Sequence, residues 1–549
     1  MAGTMTGIDS AERTSLEEVW GTEVRPSEYA GHPGLLYEPH PRSFAELLLS
    51  TERWNDRTYL VQGERRITFE RFSRSIPLAC KYFHNRGIRE GDRVMLLAYN
   101  SPDWVLALWS LWMIGAVPVL GNRWWSPHEI ENAVDVAAPR CVVTDMPRLP
   151  DSVTIPTVSV DDLRRFFDTD LPEPAARPRD DSAPRGDEDA AALILFTSGS
   201  SGMPKAVELS LRSVVANQHN LLLRSRRLPQ QVSIDAPQAS TLVCTPLFHI
   251  GGISNLVTQL INGGKIVLNE GKFDPQQVLT LIEQEQVQSW GGVPTMASRV
   301  LEHPDFDSFD LSSLRSWPLG GAPVTPGLLE RMQRKLPQLR ERGLGNTWGM
   351  TESGGFLTVA GNRDLERYPG TVGRPYSVVE LQILGPDERG IGEILVRSPT
   401  VMLGYIGIDD DTVDSEGWLH TGDLGHINEK GYLFLDGRSK DIVIRGGENI
   451  ACAHVEAALA AHPDVTEVAA IGLPHADLGE ELAAVVVFRA GSTPPTPGEL
   501  REFLTGTLAY FAIPTRWQFR DAPLPTLAGE KVDKKTLVAQ FPTDNDERG

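Results

Sequence analysis

Between residues 45 and 170 the chain alternates short apolar runs with longer stretches in which apolar residues recur every three or four positions. Residues 93–98 (RVMLLA) and 140–144 (RCVVT) are such runs, and continuous apolar segments bounded by polar residues fit strands buried on both faces. Strands alternating with helical stretches predict a parallel sheet covered by helices. Residues 104–120 approach membrane length, yet Ser110, Gly115 and Pro118 interrupt them, which predicts a buried helix followed by a strand rather than a span. Residues 1–40 show little periodicity and are expected to wrap loosely over the surface. Residues 171–190, with four prolines among mixed charges, are expected to form an exposed loop. Residues 379–405 are strand-rich and predict a β subdomain. A boundary is expected after Gly437, followed by strand, loop, helix (455–461), two strands (467–472 and 482–488) and a helix (497–508). That is a compact α+β unit of about a hundred residues, an ordinary domain size.

The apolar run 191–195 leads into Phe196-Thr197-Ser198-Gly199-Ser200-Ser201-Gly202-Met203-Pro204-Lys205. Glycines let backbone N–H groups approach an anion, hydroxyls add donors and a lysine supplies a point charge, so this composition suits a phosphate loop. It is neither a Walker loop, since the lysine follows a proline, nor a dinucleotide loop, since three spaced glycines are missing. A Ser/Gly-rich segment by itself also fits a flexible linker, and other segments have to decide.

Those segments follow in order: Pro246-Leu247-Phe248-His249-Ile250-Gly251-Gly252, Gly320-Gly321-Ala322-Pro323, Asn346-Thr347-Trp348-Gly349-Met350-Thr351-Glu352, His420-Thr421-Gly422-Asp423, Gly437-Arg438-Ser439-Lys440-Asp441 and Lys531. With the phosphate loop they closely resemble the adenylate-forming superfamily of acyl-CoA synthetases, peptide-synthetase adenylation domains and luciferases, over roughly residues 45–540. The chain is also faintly similar to ligases of specialised metabolism that activate bulky terpenoid acids, as in platensimycin-type antibiotic pathways. The resemblance implies an α/β fold with a large N-terminal domain of helix-covered sheets and a β subdomain (1–437), a hinge (438–440) centred on Lys440, and a small mobile α+β C-terminal domain (441–549).

It also implies a chemistry. A carboxylic acid is joined to AMP from ATP with Mg²⁺, and the acyl-AMP is then handed to CoA. Every reacting group is anionic, so positioning and electrostatic stabilisation dominate. In that scheme Thr197, Ser198, Gly199, Ser200, Ser201, Gly202 and Lys205 hold the β- and γ-phosphates, Thr351 donates to the α-phosphate and Glu352 ligates Mg²⁺. Trp348, where the family usually has tyrosine, stacks on adenine beside Thr347 and Gly349, with Asn346 at the base edge and Gly321, Ala322 and Pro323 as the opposite wall. Asp423 accepts both ribose hydroxyls, supported by Arg438. His249 stands where acyl and CoA tunnels meet. Gly320 and Met350 are preferred for the acyl wall over Trp290, Gly291, Gly292, Val293 and Met296, and Gly251, Gly252 and Gly320 are expected to leave room for a bulky acyl group. One orientation of the C-terminal domain presents Lys531; the other presents Gly446 and Gly447 to the pantetheine arm.

Near Lys531 the chain departs from the pattern. Pro525-Thr526-Leu527-Ala528-Gly529-Glu530-Lys531 keeps the proline-to-lysine spacing but puts Glu530 where the family has glycine. A like charge about 4 Å from the transition state costs about 1 to 4 kcal/mol, about tenfold to several-hundredfold in rate. Beyond the tunnel glycines, Ala451-Cys452-Ala453-His454 replaces the family's tyrosine, proline and glutamate. Two expectations follow: impaired adenylation with transfer to CoA intact, the acyl-AMP coming from a separate adenylating enzyme, or a complete ligase in which Glu530 points into water. Two other readings stay open: a carrier-protein thiol or an amine as acceptor, and a non-catalytic adenylate-binding protein.

Bulk properties narrow the partners. The net charge of −21 argues against nucleic acid, so a site for ATP and CoA must be basic locally. Cys80, Cys141, Cys244 and Cys452 form no CxxC pair, which fits neither zinc nor a disulfide framework and points to the cytoplasm. Residues 1–15 lack the apolar core of a signal peptide.

Overall fold

The computed structural model describes residues 16–49, 51–169, 187–198, 203–320, 324, 326–340, 343–409, 411–438, 441–445, 448–475, 478–489, 491–505, 507–527 and 531–542. Among them, a seven-stranded sheet runs in the spatial order Gly404–Tyr405, Pro204–Ser210, Ala191–Ser198, Val117–Leu120, Arg93–Leu97, Cys141–Thr144, Thr157–Ser159. Its middle is parallel, as the alternating pattern predicts. The first two strands run antiparallel to their neighbours, a departure with consequences for the site. The apolar run 93–97 is continuous because both faces of its strand are covered. Val94 and Leu96 belong to one core cluster, and Met95 and Leu97 to another.

The expected helix-then-strand is present as Pro102–Met113 and Val117–Leu120. Ser101 caps the helix by accepting from the Trp104 N–H at 3.1 Å, with Pro102 in its first turn. Trp104 and Trp109 are buried in the main core. Among the described residues, no helix is long and apolar enough to cross a membrane.

A five-stranded sheet (Ser289–Trp290, Ser240–Val243, Lys265–Leu268, Thr58–Gln62, Arg65–Thr68) and an eight-stranded sheet complete the larger part of the molecule. The eight-stranded sheet orders as Trp317–Gly320, Leu344–Met350, Gly355–Gly361, Thr371–Pro375, Leu433–Arg438, Leu419–Ile427, Gly392–Arg397, Glu380–Leu384. Every strand of the last sheet lies beyond residue 441. Its central strand Gly479–Phe488 sends Leu482, Ala484 and Val486 into one core and Ala483, Val485 and Val487 into a second. That two-faced burial explains the unbroken LAAVVV text. The expected helix over 497–508 is shorter, Pro497–Leu504, because Thr505 turns to extended geometry. This unit meets the larger part at the helix Pro294–Leu301. Arg299 Nη2 donates to the Leu524 carbonyl at 3.4 Å, and its Nε lies 3.7 Å from Glu467.

Residues 1–15 lie outside the described residues, and residues 16–40 do not wrap loosely. Glu23–Tyr29 and His32–Glu38 form an antiparallel hairpin, and the segment is anchored by buried aromatic groups that periodicity alone does not reveal. Trp20 and Tyr37 are buried against His219, with ring centroids 5.1 and 4.5 Å away. His219 Nε2 donates to the Gly21 carbonyl at 2.8 Å, which leaves Nδ1 bare and the ring neutral. Burial pulls its pKa from the usual 6.5 to about 4, the Gly21 bond opposing the shift. Because the folded pKa is depressed, the unfolded chain takes up the proton first. The contribution of His219 is complete above about pH 6.5 and is lost as pH falls toward 4. Denaturant titrations should show about 2 kcal/mol less stability from this group at pH 5 than at pH 7. His219→Gln, which keeps an N–H for Gly21, should flatten that part of the slope.

Candidate active site

The eight-stranded sheet gathers several of the residues singled out in the sequence. Leu344–Met350 carries Asn346, Thr347, Trp348, Gly349 and Met350, and Leu419–Ile427 carries Asp423, with Arg438 its cross-strand partner. Three strands separate the Trp348 strand from the Asp423 strand. At about 4.8 Å per strand a flat sheet would hold them about 19 Å apart. Yet Trp348 Nε1 donates to Asp423 Oδ2 at 2.7 Å, both groups being buried at 5% and 4% exposure. The sheet is therefore curled. Asn346 Nδ2 shows the same, reaching past the intervening strand to the Thr371 carbonyl at 3.1 Å. Gly373 permits the bend: its φ is +94°, it sits at a register shift, and an added Cβ would lie 2.0 Å from the Val359 carbonyl oxygen.

The turn after Trp348 is built by close backbone approach. A Cβ on Gly349 would meet the Gly355 carbonyl oxygen at 2.1 Å. Buried Ser353 accepts from the Met350 N–H at 3.0 Å and donates to the Gly355 carbonyl at 2.9 Å. This turn presents half-buried Thr351 and the Glu352 side chain, which is 8% exposed. On the Asp423 side, Gly422 has φ +67° and its N–H donates to Glu393 Oε1 at 3.0 Å, while Thr421 Oγ1 accepts from the Asp423 N–H at 3.1 Å. Gly349, Ser353, Thr421 and Gly422 thus each have a local reason for their identity.

The phosphate-loop candidates lie on the seven-stranded sheet. Ala191–Ser198 pairs antiparallel with Pro204–Ser210, setting Thr197 opposite Lys205. Gly199, Ser200, Ser201 and Gly202 lie outside the described residues, as do Gly321, Ala322, Pro323, Lys440, Gly446, Gly447 and Glu530. Lys205 Nζ sits 4.4 Å from the centroid of the Tyr405 ring, and the Tyr405 hydroxyl donates to Glu352 Oε1 at 2.8 Å. Tyr405 was missed in the sequence. It stands in a two-residue strand with no periodic signal, and its partners lie 200 residues (Lys205) and 53 residues (Glu352) earlier in the chain. Glu352 offers one hard carboxylate oxygen of the kind Mg²⁺ takes, Oε1 being held by Tyr405; among the described residues no cluster of three or more His, Cys, Asp or Glu side chains surrounds it, so phosphate oxygens and water would have to complete the coordination.

The acyl-side residues divide. His249 precedes the helix Ile250–Ile261, its ring 4.7 Å from Phe248. Trp290 and Met296 are core residues, Trp290 packing on Trp317 at 4.6 Å. Of the three glycines expected to make room, Gly252 is crowded by backbone and Gly320 by a side chain. A Cβ on Gly252 would lie 2.6 Å from the Pro246 carbonyl oxygen, and one on Gly320 would lie 2.4 Å from Thr347 Oγ1. Gly251 alone of these three faces space, with Phe356 3.9 Å from its missing Cβ. Lys531 is exposed in the smaller unit, its carbonyl accepting from the Leu527 N–H at 2.7 Å. The strands flanking Gly446 and Gly447 pair antiparallel, Arg445 opposite Glu448.

Residues 49–406 match the AMP-binding enzyme family and residues 454–530 the AMP-binding enzyme C-terminal domain. Feruloyl-CoA synthase of Amycolatopsis sp is 32% identical over 495 residues, 88% of this chain and 96% of that protein. A 2-succinylbenzoate–CoA ligase of Bacillus cereus is 30% identical over 498 residues, 88% and 95% respectively. Among solved structures, the o-succinylbenzoate CoA synthetase (MenE) of Bacillus subtilis in complex with the acyl-adenylate OSB-AMP aligns with a TM-score of 0.73 at 26% identity, over 90% of this chain and 97% of that one. MatB from Rhodopseudomonas palustris with bound ATP aligns with a TM-score of 0.76 at 27% identity, over 90% and 99%.

Trp348→Phe keeps an aromatic face and removes the indole N–H that donates to Asp423 Oδ2. Losing that hydrogen bond to a buried carboxylate costs about 1 to 3 kcal/mol. Denaturant titration should therefore show the variant less stable by about that amount.

Proposed function

Because the chain belongs to the AMP-binding enzyme family and has the adenylate-forming fold of acid–thiol ligases, we propose that it makes an acyl-CoA thioester from a carboxylic acid by way of an acyl-adenylate. The observation that carries this reading is the convergence of four segments distant in sequence: the run from Trp348 to Glu352, Asp423, Tyr405 and the Lys205 strand. Trp348 supplies an aromatic wall for adenine and Asp423 accepts from the ribose, with Arg438 beside it. Lys205 and the loop before it take the outer phosphates, and Thr351 donates to the α-phosphate. Glu352 is the protein ligand for Mg²⁺, which when bound offsets the charge gathering on the phosphate oxygens. The larger part, residues 1–437, holds the adenylate. Residues 441–549 turn about the 438–440 hinge, offering Lys531 in the first half-reaction and the Gly446–Gly447 connection to the pantetheine arm of CoA in the second. His249 stands between the acyl and thiol paths.

The substrate class is a carboxylic acid carried on an aromatic ring. Two relatives are named for feruloyl and 2-succinylbenzoyl groups, and the open position at Gly251 faces the Phe356 ring. Polycyclic terpenoid acids form the contrasting arm of a substrate panel, offered both free with ATP and as synthetic adenylates with CoA. Thioester from neither form of any acid would leave adenylate binding alone, and transfer to a carrier-protein thiol or an amine in place of CoA would change the acceptor.

The glutamate beside Lys531 gives this chain a slow first step, so that acyl-AMP from a separate enzyme is also a substrate. Lys531→Ala should lower pyrophosphate release from acid plus ATP by about a hundredfold or more while thioester formation from acyl-AMP plus CoA continues; a loss of about 3 kcal/mol matches one transition-state donor. Glu530→Gly should raise pyrophosphate release about tenfold or more and leave the second half-reaction unchanged. Pyrophosphate release in the unsubstituted protein already as fast as in Glu530→Gly would sink the slow-step idea.

A further inference from the structure

Residues 401–406 cross from the turn at Glu352 to the edge of the seven-stranded sheet and are laced to both. The Met402 N–H donates to the Glu352 carbonyl at 2.9 Å, the Leu403 N–H to the Glu208 carbonyl at 2.8 Å and the Ile406 N–H to the Ala206 carbonyl at 2.9 Å. Ser213 Oγ donates to the Val401 carbonyl at 3.0 Å. The short strand Gly404–Tyr405 continues the pairing, with Tyr405 opposite Val207. Backbone bonds thus hold Tyr405 in place without help from its side chain. The side chain is left to do something else: its ring carries Lys205 Nζ at 4.4 Å from the centroid, and its hydroxyl donates to Glu352 Oε1 at 2.8 Å.

We propose that Tyr405 is a positioning residue for the phosphate and Mg²⁺ end of the nucleotide site, holding Lys205 and Glu352 apart and each in its working orientation. This rests on the reading given under Proposed function and deepens it. An ammonium and a carboxylate facing the same small space attract each other, and in a partly buried setting that attraction is strong. A direct Lys205–Glu352 pair would occupy the lysine meant for phosphate and the carboxylate meant for the cation. The Tyr405 ring gives the ammonium a weaker, neutral partner that phosphate can outcompete. The hydroxyl satisfies one oxygen of a nearly buried carboxylate and leaves Oε2 for a hard cation. Partners of metal ligands commonly change metal affinity about 10- to 100-fold when removed.

The test uses the full chain and three equilibrium titrations: AMP without Mg²⁺, ATP at saturating Mg²⁺, and Mg²⁺ at fixed ATP. Tyr405→Phe keeps the ring and the backbone lacing but removes the hydroxyl. It should leave AMP affinity within about twofold and raise the Mg²⁺ concentration for half-maximal ATP binding about tenfold. Tyr405→Leu removes the ring as well, and it should also weaken ATP binding at saturating Mg²⁺, because Lys205 then pairs with Glu352. Adding Glu352→Gln to Tyr405→Leu should restore the ATP affinity at saturating Mg²⁺ in part, since the competing carboxylate is gone. A Mg²⁺ midpoint in Tyr405→Phe equal to that of the unsubstituted protein overturns the proposal, and so does equal weakening of AMP and ATP, which would mark a merely structural role. An unsubstituted protein that binds neither AMP nor ATP is a separate result: it defeats the nucleotide-site reading itself.

Discussion

The bond between the Trp348 indole and the Asp423 carboxylate depends on a curled sheet, and the rest of the site depends on that curl. Strands that would lie about 19 Å apart in a flat sheet are brought to side-chain contact at 2.7 Å. The curl is made possible at Gly373, where a left-handed backbone and a register shift coincide, and is held by Asn346 bonding across an intervening strand to Thr371. Closing the sheet in this way buries one aromatic ring against one carboxylate. It also sets which carboxylate oxygen faces the indole, Oδ2. Tryptophan in place of the family's usual tyrosine adds a ring N–H, and that N–H is what reaches Asp423.

Electrostatics sets the second constraint. A chain with a net charge of −21 has more carboxylates than cations to pair with them. Arginines pair with some of these, as with Arg65 on buried Asp103 at 2.6 Å and Arg212 on Glu188 at 2.8 Å. At the candidate site one tyrosine touches both signs of charge: the Tyr405 ring faces the Lys205 ammonium and its hydroxyl donates to Glu352. That tyrosine stands on an edge strand that runs antiparallel to the parallel body of its sheet.

Glycines illustrate how one residue type can mislead. Read along the chain, Gly251, Gly252 and Gly320 suggest space for an acyl group. In three dimensions Gly252 is demanded by the Pro246 backbone and Gly320 by the Thr347 side chain, which leaves Gly251 facing Phe356. The N-terminal segment misleads in the opposite sense. Its weak periodicity reads as loose, yet Trp20 and Tyr37 lock it onto His219.

What the chain text determined by itself is local. The strands at 93–97, 141–144 and 191–198 follow from apolar runs covered on both faces, and the capped helix after Ser101 follows from its cap and proline. The ordered series of short motifs marks the family, and with it the fold. Tertiary structure alone decided which of these residues meet. The curl that joins Trp348 to Asp423, the edge strand that brings Tyr405 to Lys205 and Glu352, and the packing that makes Gly320 obligatory all arise between segments tens to hundreds of residues apart. Periodicity reports only which face of an element is apolar. It carries no information on which other element will cover that face, and the chemistry of this site lies in that pairing.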